Sequence, residues 1–412
     1  MMIKYPVILR AGLISVLLTA SALSDAGADA VTDWNERAGE IMVSAHMGPL
    51  PAARALAMVQ ASVYEAVNAI TQRYPISDLK LEAASGASVE AAVAAANHAV
   101  MTELIPSQQA VIDRAYQTAL TAIADGAAKT GGIAIGEKAA AGVLAWRADD
   151  GAAAGESYRP YTSAGTYVPT VIPEVPQWRN RKTWLMTGPA QFRPGPPPEL
   201  GSELWARDYK EVKALGGRQS RRRTAEQTDI ARFWEEVMPP IYDGIVRSVA
   251  KGSGRDITRN ARLFAAVTQA ADDGLIAVFD AKYHYEFWRP VTAIRNGDID
   301  GNEATEREES WVPFIDTPMH PEYPCAHCIT AGVVGAVLKA EIGNDRTPVL
   351  TTTSRAAGGV VRSWTTVDDF MQEVSNARIY DGVHYRNSGE IGTEMGKHIA
   401  QLAIAKYMLN QK

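Results

Sequence analysis

Apolar residues recur at intervals of three and four along most of the chain, and this spacing limits the fold more than any other feature. Each segment that carries it can bury one side of an α-helix. The clearest is 50–70. There Leu56, Val59, Val63, Ala66, Val67 and Ile70 share a side, and Pro51 sits in the first turn, where a missing amide costs nothing. The same spacing predicts helices over 33–45, 88–103, 107–124 and 127–149, broken at Pro106 and at Asp125-Gly126. Small residues dominate these later faces, which suits close helix packing. The pattern returns over 203–215, 225–237, 240–250, 256–287, 324–342 and 366–380, and from about Gly382 towards Met408. No strand alternation of useful length and no fixed-period repeat is evident. The expected fold class is all-α, with two packed helical bundles. Residues 31–200 form the N-terminal scaffold with a connecting loop, and residues 201–412 the C-terminal bundle.

Within that division, residues 151–201 lose the helical spacing and become rich in Pro, Gly, Tyr and Thr. Long loops in compact proteins are usually functional or disordered. The aromatics Tyr158, Tyr161, Tyr167, Trp178, Trp184 and Phe192 predict a loop packed on the body and covering the entrance to a site. Residues 1–28 read as an export signal: Lys4 and Arg10 precede an apolar stretch over 11–23, and Ala26-Gly27-Ala28 offers a cleavage site. The stretch is short for a membrane span, and no later segment is apolar for long enough. The expectation is a soluble periplasmic or secreted protein, not inserted in a membrane after signal cleavage. A net charge of −6 argues against nucleic acid as a partner. The one basic run, from Arg218 to Arg223, reads as a solvated loop. The sequence is compatible with a homo-oligomer and does not specify one.

Three segments of the C-terminal half carry chemistry. In the first, Lys282 and Arg289 are seven residues apart, and Pro290 ends or kinks the helix directly after Arg289. In the second, His320-Pro-Glu-Tyr-Pro324-Cys325-Ala326-His327-Cys328 leads into an apolar run. A helix starting there presents free amides and a positive dipole end, with His327 in its first turn as an acid or base. In the third, Asp381-Gly382 breaks a helix between Arg378 and His384, so that both can converge on one point. Together these give three cations, two imidazoles and a helix N-terminus, with no matching set of carboxylates for a divalent metal. The inventory suits a tetrahedral oxyanion, because guanidinium forks match its oxygens.

Lysine, six residues, Arg-Pro; then Pro-Cys-Ala-His; then Arg, five residues, His: this order resembles the signature of the superfamily of type 2 phosphatidic acid phosphatases and vanadium-dependent haloperoxidases, in its soluble bacterial haloperoxidase-like branch. The likeness extends to 53–59 and 64–70, to the run after Phe287 and to His320-Pro-Glu-Tyr-Pro. It implies that Lys282, Arg289 and Arg378 cradle the oxyanion, that His384 bonds vanadium or attacks phosphorus, and that His327 is the acid–base residue. Cys325 and Ala326 fall where the family has Ser and Gly, which contact equatorial oxygens. The implied function is peroxide-driven halide oxidation with a vanadate cofactor. Alternatives are a soluble acid phosphatase that acts on phosphate esters through a phosphohistidine and needs no cofactor, and a non-catalytic oxyanion-binding homologue. Two positions depart from the pattern. Cys325 offers a thiol, a poorer donor than a hydroxyl. Ser388 stands four residues after His384, where the phosphatase motif has an orienting Asp, which leaves a backbone carbonyl to orient His384. Cys325 and Cys328 lie one helical turn apart and could form a disulfide. His320, Cys325, His327 and Cys328 could also be read as a cramped zinc site.

Overall fold

The computed structural model describes residues 29–75 and 78–409, so the export-signal reading of 1–28 lies outside the described residues. The first bundle comprises α1 (Ala30–Ser44), α2 (Pro49–Thr71), α3 (Val89–Leu104), α4 (Gln109–Thr121) and α5 (Ala127–Arg147). Helix α1 starts before the apolar spacing does, because the Asp29 carboxylate accepts the amides of Val31 and Thr32, both at 3.0 Å. The small-residue faces let α5 lie directly on α3. A Cβ on Gly136 would stand 2.4 Å from the Ala92 carbonyl oxygen, a clash no other residue escapes.

The second bundle comprises α6 (Glu203–Leu215), α7 (Ala225–Trp234), α8 (Pro240–Ala250), α9 (Ile257–Tyr285), α10 (Pro290–Arg295), α11 (Ala326–Ile342), α12 (Val367–Tyr380) and α13 (Arg386–Ile404). Helix α9 packs on α2 on one side and on α11 and α13 on the other. One continuous apolar core therefore runs through both bundles. Among the described residues, no helix is long and apolar enough to cross a membrane.

Two elements depart from the sequence expectation. Strands β1 (Leu350–Ser354) and β2 (Val360–Trp364) form an antiparallel hairpin, with Leu350 opposite Trp364. Strand β1 buries Leu350, Thr352 and Ser354 on one face, two of them polar, and β2 is mostly exposed, so no apolar period-two alternation shows in the sequence. The readable signal was the Thr- and Val-rich runs flanking Gly358-Gly359, both at positive φ. Helix α10 is a six-residue turn set by Pro290 at its first position, too short for periodicity to reveal.

The connecting segment has almost no regular structure, and carboxylates of α9 bind it in place. Asp272 receives both terminal nitrogens of Arg181, at 2.7 and 3.0 Å, and the indole N–H of Trp184 at 2.8 Å. Asp273 accepts three consecutive amides, from Trp184, Leu185 and Met186. Two turns on, Asp280 takes the Arg193 guanidinium at 2.6 and 2.7 Å. Buried backbone amides need acceptors, and here side chains supply what a sheet or helix would. Of the aromatics expected to cover an entrance, Tyr158, Trp178 and Trp184 are buried in the core, and Tyr161 is exposed. The part of the loop that reaches the cavity described below is Val168, Thr170, Val171 and Glu174.

Without Asp272, the buried Arg181 guanidinium would keep Asp150, at 2.9 Å, as its carboxylate partner, shared with Arg54 and Arg147, and buried charges left short of partners are costly. Asp272→Ala is expected to lower the free energy of unfolding by about 3 kcal/mol or more. Urea denaturation followed by tryptophan fluorescence measures it, and an unchanged midpoint would show that this pair does not hold the loop.

Candidate active site

The three chemistry-bearing segments meet. Lys282 lies in the last turn of α9, where the chain leaves the helix through Glu286 in the left-handed conformation (φ 49). Arg289 caps α10, three residues beyond that turn. Ala326 and His327 open α11. Arg378 is in the last turn of α12, and His384 sits in the link before α13. That link reverses sharply at Gly382 (φ 81), where a Cβ would lie 2.3 Å from the Gly216 carbonyl oxygen. Only glycine meets both demands. The His384 amide then bonds back to the Arg378 carbonyl at 3.2 Å.

Arg289 is the hub. Its Nε donates to the His320 carbonyl (2.9 Å), Nη2 to His320 Nδ1 (3.0 Å), and Nη1 to the Val383 carbonyl (2.9 Å) and to His384 Nε2 (3.3 Å). Lys282 Nζ donates to the carbonyls of Pro321 (2.9 Å) and Glu322 (2.7 Å). Both cations are thus held by carbonyl oxygens, which leave their charge largely uncancelled. Arg378 donates to the Trp234 carbonyl (2.7 Å) and pairs with Asp381 (2.6 Å), while its Nε is buried without a partner in the protein.

A guanidinium has no acceptor, so Arg289 must donate to the Nε2 lone pair of His384. Neutral His384 then carries its proton on Nδ1, which donates to Glu322 Oε1 at 2.6 Å. Glu322 Oε1 also accepts the Tyr385 amide at 3.1 Å, and Ser388 Oγ lies 3.4 Å from Nδ1. Glu322 was missed in the sequence. The expectation of a carbonyl partner for His384 is corrected: the orienting carboxylate comes from the segment ahead of α11. Its signal was a lone Glu in the His320-Pro-Glu-Tyr-Pro run, 62 residues from its partner. His320 was also missed as a member of this cluster; its ring lies tilted against Phe279, with centroids 5.1 Å apart, and binds Arg289.

The electrostatics follow from burial. Burial, then Arg289 and Lys282, hold the His384 imidazole well below its ordinary range. Burial and then Arg378 do the same to His327. Burial pushes the Glu322 carboxyl up to about 7, against the pull of Lys282 and Arg289. Burial and Arg289 hold the Lys282 ammonium well below its usual range. His327 donates from Nε2 to the Glu236 carbonyl (3.3 Å), leaving its lone pair on Nδ1.

Cys325 does not join the site. It forms a disulfide with Cys328, and its Sγ accepts the Cys328 amide at 3.1 Å as the N-cap of α11. Its own amide bonds the Ser388 carbonyl. The expectation that Cys325 contacts an oxyanion is therefore corrected, because neither its sulfur nor its amide is left to donate. The zinc reading falls with it, since disulfide sulfurs are not thiolate ligands, and no metal-holding cluster occurs among the described residues. Ala326 and His327 do fit an anion. First-turn amides have no intrahelical acceptor, and both residues line a cavity of about 1040 Å³ together with His320, Arg378 and His384. Lys282 and Arg289 stand behind these groups.

Comparison with known proteins bears on this arrangement. The family described as the VCPO second helical-bundle domain matches residues 262–411, the stretch that carries all three segments. The vanadium chloroperoxidase of Curvularia inaequalis is 31% identical over 150 residues, which covers 29% of this chain and 24% of that protein. Residues 262–411 are thus similar to the second helical-bundle domain of vanadium chloroperoxidase. The match spans about a quarter of the length of the Curvularia protein. The fold is shared more widely. The structure of a bacterial vanadium-dependent iodoperoxidase superposes with TM-score 0.77 at 23% identity, over 92% of this chain and 96% of its own. An apo-type bacterial vanadium-dependent chloroperoxidase gives TM-score 0.71 at 16% identity, over 87% and 94%. The shared fold thus covers the N-terminal bundle as well as the segment matched in sequence.

Outer partners that orient a ligating histidine typically carry a 10–100-fold effect on affinity. Glu322→Ala is expected to weaken vanadate binding about 10–100-fold, with Glu322→Gln retaining part of it through its amide oxygen. Titration followed by tryptophan fluorescence reads the effect. Equal affinity in wild type and Glu322→Ala would remove Glu322 from the site.

Proposed function

We propose that the protein is a vanadium-dependent haloperoxidase-like enzyme that uses hydrogen peroxide to oxidise halide at a vanadate held by His384. The observation that carries this reading is the His384 imidazole, a cavity-lining ring whose Nδ1–H is fixed by Glu322 and whose Nε2 meets only Arg289 Nη1, at 3.3 Å, a donor that an oxyanion would draw to itself. The residues present fit such a group. Lys282 and Arg289 lack direct carboxylate partners, and Arg378 Nε is a buried donor with nothing to bind. A trianionic oxyanion would supply the missing acceptors, and its charge would favour the ammonium form of Lys282. Bound there, vanadate supplies a Lewis-acidic centre that activates peroxide.

The chain's own residues do the rest. Lys282, Arg289 and Arg378 draw electron density towards themselves. The amides at the start of α11 add partial positive charge on a third side. His327 takes a proton at Nδ1 from the incoming peroxide and returns it to the departing oxygen. The low basicity that burial imposes on His327 keeps it unprotonated near neutral pH, ready for the first of these steps. A periplasmic or secreted site of action fits both the apolar leader and the Cys325–Cys328 disulfide.

Acid phosphatase chemistry is the second reading, favoured by one observation. The carboxylate at His384 Nδ1, absent from position 388, is supplied by Glu322, as a phosphohistidine mechanism requires. A parallel assay separates the two. Wild type is expected to oxidise bromide or iodide with peroxide only after vanadate is added. His384→Ala is expected to lose about 100-fold or more of that rate. His384-dependent hydrolysis of an aryl phosphate without halide oxidation would sink the haloperoxidase reading. Activity in His384→Ala equal to wild type in both assays would remove His384 from the mechanism.

A further inference from the structure

Two side chains of the site are held by one short link, residues 235–239, which joins α7 to α8. In a helix each carbonyl accepts the amide four residues on. Were α7 to continue, the carbonyls of Glu235 and Glu236 would face Pro239 and Pro240, which have no N–H to give. The helix stops instead, and carbonyls at its end turn to other partners. The Trp234 carbonyl accepts Arg378 Nη1 at 2.7 Å, and the Glu236 carbonyl accepts His327 Nε2 at 3.3 Å. Tyr242, in the first turn of α8, donates its hydroxyl to the His327 carbonyl at 3.3 Å. His327 of α11 and Arg378 of α12 are thus registered against the same stretch of backbone.

The Glu236 contact decides which nitrogen of His327 is basic. A carbonyl only accepts, so Nε2 carries the proton and Nδ1 keeps the lone pair. That carbonyl is itself aimed by the side chain of the same residue, since Glu236 Oε1 accepts the Met238 amide at 3.2 Å. Met238 is buried, so its amide needs an acceptor. In a continued helix the acceptor would be the Trp234 carbonyl, which here bonds Arg378. The carboxylate therefore closes a turn over 236–238 and fixes the direction of the Glu236 carbonyl. It does so from outside the reaction cavity. Glu235 and Val237 line that cavity, whereas Glu236 and Met238 line only a separate hollow, shared with His46, Met47 and Arg355.

We propose that Glu236 is a positioning residue for His327: its carboxylate pins the link, and its carbonyl sets the tautomer and the direction of the imidazole. A residue placed this way touches no reacting atom, so it governs proton transfer in turnover and leaves oxyanion binding alone. The assignment rests on the acid–base role of His327 in the proposed function, but the tautomer is measurable without vanadate, peroxide or halide.

The test is nitrogen NMR of the full chain with 15N-labelled histidine rings, in which His327→Asn identifies the His327 signals among those of the seven histidines. Wild type at neutral pH is expected to show Nε2 protonated and Nδ1 bare. Glu236→Ala is expected to show a mixture of both tautomers. It is also expected to lower kcat for bromide oxidation about tenfold, part of what a general acid–base residue contributes, with vanadate affinity within about twofold of wild type. Glu236→Gln, whose amide oxygen can still accept the Met238 amide, is expected to keep the wild-type tautomer and most of the rate. The inference is overturned if wild-type His327 carries its proton on Nδ1, if Glu236→Ala keeps the Nε2-protonated form alone, or if Glu236→Gln is as impaired as Glu236→Ala. Vanadate affinity that falls in step with the rate in Glu236→Ala would also overturn it, as general disorder of the site. The expected tautomers in a wild type that oxidises no halide would support the hold of Glu236 on His327 and count against the proposed function alone.

Discussion

The bidentate bond between Arg181 and Asp272, in the middle of α9, is the interaction on which most of this structure depends. Helix α9 is buried on two sides, by α2 of one bundle and by α11 and α13 of the other. A helix so placed would ordinarily be apolar all round. Here it carries Asp272, Asp273 and Asp280, and their acceptors are consumed by a segment that has few backbone bonds of its own. The same helix supplies Val267, Ala271, Leu275 and Phe279 to the cavity wall and ends on Lys282. Loop, cavity and cationic site are therefore positioned by one rigid element.

The site shows how a protein can hold positive charge ready for an anion. Lys282 and Arg289 are fastened by carbonyl oxygens, which satisfy donors and fix geometry but do not neutralise as carboxylates would. Glu322, the carboxylate close enough to matter, spends its Oε1 on His384 and on the Tyr385 amide. The disulfide beside the site has the opposite character. It closes the first turn of α11 and withdraws Cys325 from solvent and substrate alike. In the proposed function, the oxyanion contact that the resemblance gave to Cys325 falls to the backbone amides of Ala326 and His327.

Periodicity made the helices legible because a helix buried along one side imposes its own repeat on the sequence. The bounds 203–215 and 240–250 coincide with α6 and α8, and α2 and α9 end within two residues of expectation. The hairpin was not legible, since the buried face of β1 is largely Thr and Ser and β2 is mostly exposed, which leaves no apolar alternation to see. The Asp381-Gly382 break was legible, because glycine at such a turn answers a local steric demand.

By itself, the sequence determined the succession of helices, the resemblance to an oxyanion-binding superfamily, and which three segments carry cations and imidazoles. These are properties of spacing and residue type, written locally along the chain. Only the tertiary structure decided that Glu322 orients His384, that Cys325 is taken out of the site, and that carboxylates of α9 hold the connecting loop. Each of these joins residues whose pairing, or whose surroundings, depend on how distant helices pack, and no local repeat encodes that.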